Sequence, residues 1–264
     1  QLTLGNTTSV VTISDDETVQ LVFDVADSSV TEADTNHDVQ VRLVADAGVT
    51  LATGVTVTAS VVDDGSGTAI SATDYTAFGT QTVTFSAGAV GGDTQAVTLG
   101  VLEDLLVEGD EDVDLSISQV SGPGTSIGTQ DTHEVTITDD DTANIAIQAA
   151  TTVTEEGGAQ TIDVTLSVPG GGTLDRQITV DVVDLLSGSA ISAADYAALS
   201  TQTVTFNVGD GPSTSKTVTI TPSSDLLLEG PETVNLKLQG LSDDLDGQLT
   251  LGNTTSVVTI SDDE

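Results

Sequence analysis

In 264 residues the chain carries 42 acidic side chains against four basic ones, a net charge of −38, and it has neither Cys nor Trp. Such a surface repels nucleic acid and anionic membranes, which are held through Lys and Arg, and the missing thiols exclude disulfides and thiolate metal sites. Self-repulsion on this scale opposes compaction, so the composition asks for bound cations, high salt, or both.

An acidic chain poor in aromatics can be disordered, but here 37% of residues are hydrophobic and they alternate with polar ones. Taken along the chain, Val19–Val25, Val55–Val61, Thr82–Phe85 and Glu134–Thr138 alternate with period two and are rich in Val, Ile and Thr. Ile162–Leu166, Ile178–Val182, Thr203–Phe206, Thr217–Ile220, Val234–Leu238 and Val257–Ile260 do the same in the second half. Turns rich in Gly, Ser and Asp separate them, and no amphipathic helix longer than a turn or two is present. With four Phe and two Tyr, the core must be mostly Val, Ile, Leu and Ala. The reading is all-β, an antiparallel sandwich of about seven strands per copy. No run of 18 apolar residues and no signal peptide occurs.

The segment Gln1–Glu17 returns letter for letter as Gln248–Glu264, and His133–Asp141 is a weaker echo between them. Glu17 to Asp141 is 124 residues and Asp141 to Glu264 is 123, a domain-sized period. This predicts a terminal strand of a preceding repeat at 1–17, with Leu2–Ile13 an exposed alternating edge, then repeats at 18–141 and 142–264. The chain then reads as part of a longer array. The junction Asp139-Asp140-Asp141-Thr142-Ala143 has no flexible spacer, so consecutive repeats should abut, with a cation holding the joint.

Each copy carries four acidic elements in the same order. They are Glu32 and Glu155 after a short strand; Asp74-Tyr75 and Asp195-Tyr196 in a loop; the turns 103–111 and 224–232; and the closing triplets 139–141 and 262–264. All sit where strands meet loops, so a sandwich can gather them at one end. Unit charges about 4 Å apart repel by roughly 4 kcal/mol at an effective dielectric near 20, and several such pairs rival the whole stability of a domain. Oxygen-only donors without His or Cys suit Ca²⁺ better than Mg²⁺, which keeps its waters. The bland alternative, solvated loop acids on a salt-adapted surface, fits any single Asp but not the matched recurrence.

Other chemistry fits poorly. An EF-hand begun at Asp139 would put Ala143 at its fifth position and Ala150 at its last, and the calcium β-roll nonapeptide is absent. Only His37 and His133 exist, both in strand-like stretches, so a strand or surface role fits them better than a zincin or Ser-His-Asp triad. A glycosidase acid pair would lack aromatic platforms. The sequons at Asn6 and Asn253 are weak signals.

The ordered combination Val-Thr-Glu, Asp-Tyr, Thr-Val-Thr-Phe, the acid-rich turn and a closing Val-Thr-Ile-x-Asp-Asp-acid resembles the Calx-β domain in both copies. The resemblance implies two tandem seven-stranded immunoglobulin-like sandwiches that hold several Ca²⁺ ions in the loops at one tip. It carries ligand roles onto Glu32, Asp74, Glu103, Asp104, Glu108, Glu111, Asp139, Asp140 and Asp141, with Leu106 offering its backbone carbonyl. In the second copy it carries them onto Glu155, Asp195, Asp225, Glu229, Glu232, Asp262, Asp263 and Glu264, with Leu227 in the place of Leu106. Ser224 stands where the first copy has Glu103, which implies fewer or weaker ions there.

The expected function is therefore a non-enzymatic, calcium-stiffened spacer of a large bacterial surface or secreted adhesin, extracellular. Its partners are neighbouring repeats and a cell-surface or matrix ligand. The alternatives are a regulatory calcium sensor, separated by submicromolar affinity, and a carbohydrate-binding accessory module of an exoprotein.

Overall fold

The computed structural model describes residues 5, 8–12, 14 and 16–262. Contacts divide the chain into two compact units. The first comprises residues up to Val30, Asp34–Leu102 and Glu111–Ile137; the second comprises Thr31–Ala33, Glu103–Asp110 and Thr138 onward. Short segments of the first repeat's sequence thus fold with the second unit. Among the described residues no helix is long and apolar enough to cross a membrane.

The strands of the first repeat are β1 (Val19–Phe23), β2 (Asp27–Thr31), β3 (His37–Ala45), β4 (Val57–Asp63), β5 (Gln81–Phe85), β6 (Thr94–Leu99), β7 (Leu106–Val107), β8 (Glu111–Ser121), β9 (Thr125–Ile127) and β10 (Thr132–Thr138). Two sheets result, in the orders β6-β3-β1-β9 and β2-β10-β8-β4-β5. Successive residues in the middle of β3 and β4 alternate between buried apolar and half-exposed, as one covered face requires. Leu21, Phe23, Val41, Leu43, Val57, Ala59, Phe85, Leu99 and Leu115 fill the core between the sheets.

The second repeat contributes β11 (Ala143–Ile147), β12 (Ala150–Thr154), β13 (Gln160–Ser167), β14 (Thr173–Leu174), β15 (Ile178–Asp184), β16 (Gln202–Phe206), β17 (Ser215–Ile220), β18 (Glu232–Gln239), β19 (Leu249–Leu251) and β20 (Thr255–Ser261). They pair as β17-β13-β11-β19 and β12-β20-β18-β15-β16, the same topology again. A further two-stranded sheet joins β7 to β14 in parallel, within the second unit. Val107 of β7 is fully buried in that unit's core with Ile145, Val164, Leu166, Leu174 and Phe206.

Three points differ from the sequence reading. Each sandwich has sheets of four and five strands rather than about seven strands in all, because pieces as short as β9 and β19 are too brief to show alternation. The sheets are not wholly antiparallel: β9 on β1, β19 on β11 and β20 on β12 run parallel. Where a terminal strand was expected at 2–13, the described residues of that stretch have no strand structure, and Val10 and Val11 are exposed. The matching segment near the other end, β20, is a strand because β18 and β12 flank it; residues 1–4, 6, 7, 13 and 15 lie outside the described residues.

His37 and His133 are strand residues. The Ser28 hydroxyl lies 2.7 Å from His37 Nε2 and 2.8 Å from His133 Nε2, and His133 Nδ1 is 2.9 Å from the Val25 carbonyl. A carbonyl only accepts, so neutral His133 carries its proton on Nδ1. Ser28 therefore donates to His133 and accepts from His37, a closed relay linking β2, β3 and β10.

Candidate metal centres

In the second unit, β2 delivers Glu32 and β10 delivers Asp139 and Asp140. One carboxylate oxygen from each lies within 4.8 Å of the others. The approach is fixed by backbone: the Glu32 N–H donates to the Thr138 carbonyl at 3.1 Å. Asp139 is held at both oxygens, accepting from the Glu108 and Asp141 amides at 2.7 Å each. The Gln248 side-chain amide donates to the Asp139 carbonyl at 2.6 Å. Asp104 accepts from the Leu106 amide at 2.6 Å, which shapes the acid-rich turn.

Glu32 and Asp139 are only 3% and 4% exposed. Burial, then the surrounding Asp104, Asp139, Glu108 and Glu103 carboxylates, push Glu32 up to about 8. Burial likewise raises Asp139 to about 6, against the lowering pull of its two amide donors. Glu103 and Asp141 are also raised, by desolvation first and then by neighbouring acids. The ion pairs of Arg42, Arg176 and Lys216 go elsewhere, to Asp24, Asp175, Asp243 and Asp210. A buried carboxylate among carboxylates takes up either a proton or a cation. Hard oxygen donors, two of them buried and all on strand ends, fit a hard divalent ion.

In the first unit, Asp74 is buried and approaches Glu111 within 4.8 Å. Its turn is closed by the Ala72 amide on the Tyr75 carbonyl at 2.7 Å, with Ala72 at φ 71°. The Ile70 amide donates to the Asp74 carboxylate, and the Tyr75 hydroxyl donates to Asp63 at 2.6 Å. Burial and that bond push the Tyr75 hydroxyl up to about 12.

The second repeat rebuilds this turn. Asp195, Glu229 and Glu232 bring carboxylate oxygens within 4.8 Å of one another. Ala193 repeats the positive φ at 67°. Desolvation, then a shared hydrogen bond with Asp195, pushes Glu232 up to about 7, with Glu229 and Glu155 adding to it. Glu229 is raised by desolvation and by Asp225, Asp195 and Asp262. The Glu229 amide donates to Asp262 at 2.6 Å and the Leu227 amide to Asp225 at 2.6 Å, as Glu108 and Leu106 do in the first repeat. Glu155 is buried in a single helical turn, Glu155–Gly157. Asp263 and Glu264 lie outside the described residues. Leu106 sits in β7, where the Leu105 and Val107 carbonyls accept from the Thr173 and Asp175 amides. Its own carbonyl therefore faces away from β14, while Leu227 pairs with no strand.

One acidic group escaped the sequence reading: Asp112, Asp114 and Glu134 also come within 4.8 Å. Asp114 faces Glu134 across β8 and β10. The signal was there, two acids spaced by two on a strand, but nothing in the sequence names the strand opposite. Thr68 and Ser66 donate to Asp112 and Asp114 at 2.7 and 2.6 Å, and the second repeat has Thr233 and Asn235 where the first has Asp112 and Asp114.

The Calx-beta domain profile matches residues 14–141 and again 139–264. No curated protein sequence matches the chain. Among solved structures, the calcium binding domain CBD12 of CALX1.1 is 19% identical, with 90% of this chain and 99% of that one covered at a TM-score of 0.41. CBD12 from CALX1.2 is 19% identical over 91% and 99%, at 0.40. A putative carbohydrate binding protein from Bacteroides ovatus is 14% identical over 85% and 70%, at 0.37.

Proposed function

The chain belongs to the Calx-beta family, and on that footing we propose that it is a calcium-binding, calcium-stiffened spacer in a large bacterial surface or secreted adhesin. Its work is binding and mechanical rather than catalytic, its location is extracellular, and neighbouring repeats are its partners. The observation that carries the reading is the Glu32–Asp139–Asp140 group, two of its members buried and its three carboxylate oxygens within 4.8 Å of one another.

Glu32, Asp139 and Asp140 would hold one ion, with Glu103, Asp104 and Asp141 around them; Asp195, Glu229 and Glu232 would hold another. The ion supplies positive charge where the fold concentrates negative charge. The chain's own part is to fix the carboxylates: the Glu108 and Asp141 amides orient Asp139, and the Ile70 and Ile191 amides orient Asp74 and Asp195. Because Glu32 and the 103–110 turn fold with the second unit, neutralising the first repeat's acids stabilises the neighbouring unit. Sites of this extracellular kind bind at about 10⁻⁴–10⁻³ M.

Calorimetric titration of the whole chain with calcium, paired with small-angle scattering with and without chelator, tests the reading. Submillimolar or weaker binding with a stiffer, more extended particle is expected. No heat of binding and superimposable scattering curves would overturn it, and submicromolar affinity would point to a sensor instead.

A further inference from the structure

In the second unit β7 is a plug and β14 its socket. The Thr173 amide donates to the Leu105 carbonyl at 3.0 Å and the Asp175 amide to the Val107 carbonyl at 3.2 Å, and the Val107 side chain is 0% exposed. Both halves of this arrangement occur a second time in the chain, and among the described residues no strand pairs with either.

The second plug is Leu226-Leu227-Leu228, in step with Leu105-Leu106-Val107. Its turn is held by the same amide-to-carboxylate bonds, Leu227 to Asp225 and Glu229 to Asp262. Leu228, in the place of Val107, is 84% exposed, and Leu226 and Leu227 are exposed beside it. Three consecutive exposed leucines on a turn are an unpartnered apolar surface.

The second socket is Thr50–Ala52. Leu51 exchanges backbone bonds with Gly88 and Ala89 as Leu174 does with Gly209 and Asp210, at 2.8 and 3.0 Å in both cases. The register therefore puts the Thr50 and Ala52 amides in the places of Thr173 and Asp175. Beside them is an open cavity of about 590 Å³, lined by Val19, Val49, Leu51, Val55 and Pro123 among others, with room for a leucine side chain.

We propose that this cavity receives the Leu226–Leu228 turn of a second copy of the chain, giving a head-to-tail contact in which a two-residue strand is added to an exposed edge. Thr50 and Ala52 donate to the Leu226 and Leu228 carbonyls, and Leu228 fills the cavity. Plug and socket are different surfaces, so the contact is heterologous and copies add head to tail. One difference grades its strength. A Cβ on Gly172 would stand 1.9 Å from the Leu105 carbonyl, and the residue in step with Gly172 is Val49. The incoming turn must sit further out at the first socket, so contact between copies is weaker than the pairing inside the chain, where tethering also raises the local concentration. The proposal does not depend on calcium.

Sedimentation velocity of the whole chain over a range of concentrations tests it, in high salt to screen the acids, with calcium and with chelator. The wild type is expected to gain mass with concentration, and Leu228→Asp to stay monomeric. Ala52→Pro, which removes a donor, and Val49→Trp, which fills the cavity, should also stay monomeric; two socket variants guard against one of them misfolding. Mixing Leu228→Asp with either socket variant should restore a dimer that grows no further, since one intact plug meets one intact socket. Val49→Gly should associate at least several-fold more tightly than the wild type. Association that survives Leu228→Asp would implicate another surface, such as exposed Val10 and Val11, and overturn the proposal. So would wild-type and Val49→Gly chains that are both monomeric throughout.

Discussion

Replacing Glu32 by Gln separates the two roles of the buried carboxylate, because its effect changes sign with calcium. Glu32 sits at about 8 in the fold against an ordinary 4.5. A group raised in this way contributes stability that is fully present below the unfolded value and lost as pH rises through the folded one. Integrated, the loss in the calcium-free protein is on the order of 3 kcal/mol by about pH 7 and about 5 kcal/mol by about pH 9. Relaxation of the fold makes these upper bounds. Gln keeps the shape and never ionises, so Glu32→Gln removes the loss. At about 2–4 °C per kcal/mol for a unit of this size, the variant in chelator should melt several degrees above wild type near neutral pH, more at about pH 9, and level with it near about pH 4. In calcium the order reverses, since the variant has lost a charged ligand; a site filled at 100 times its dissociation constant adds about 2.7 kcal/mol. Melting by circular dichroism across pH, with and without calcium, reads both arms. Equal melting temperatures in chelator at every pH would refute the claim that the calcium-free fold disfavours the ionised form of Glu32, and unchanged calcium stabilisation would refute its role as a ligand.

The same linkage applies to the wild type, whose calcium-free melting temperature should fall steadily between about pH 5 and 8 as Glu32, Asp139 and Glu232 ionise, at about 8, 6 and 7 respectively; a calcium-loaded sample should be nearly flat over that window, and parallel curves would contradict the assignment. Gly172→Ala places a Cβ 1.9 Å from the Leu105 carbonyl and should release β7 from β14, read as faster hydrogen exchange at Thr173 and Asp175 while the first unit keeps its protection. Tyr196→Phe removes the hydroxyl that donates to the Asp184 carboxylate and should destabilise the second unit by about 1–2 kcal/mol in chemical denaturation, with calcium affinity at Asp195 falling only if the turn moves with it.

Much of the fold was legible because alternation reports one covered face, and Ile178–Asp184, Gln202–Phe206 and Thr255–Ser261 stand within two residues of where the pattern put them. His37–Ala45 and Glu111–Ser121 were not singled out although both alternate; acids and His interleave with their apolar positions and dilute the signal. The acidic positions were legible one by one, since matched carboxylates recur at strand ends. Which carboxylates share a site was not. Asp140 joins Glu32 and Asp139 because β2 and β10 end side by side, a fact of sheet order that no spacing contains.

The deepest gap concerns the acid-rich turns. Leu105-Leu106-Val107 and Leu226-Leu227-Leu228 read alike, and identical side-chain caps shape both, yet Val107 is buried in a core while Leu228 stands in solvent. Local sequence fixes the form of each turn; it does not fix burial, which needs a partner with free amides and a glycine at the point of closest approach. Gly172 provides that glycine to the first turn, and Val49, the residue in step with it in the first repeat, does not provide it to an incoming second one. On the proposed head-to-tail contact, the residue at that position grades the strength of each pairing separately, with the same plug and with no change to the acids that surround it.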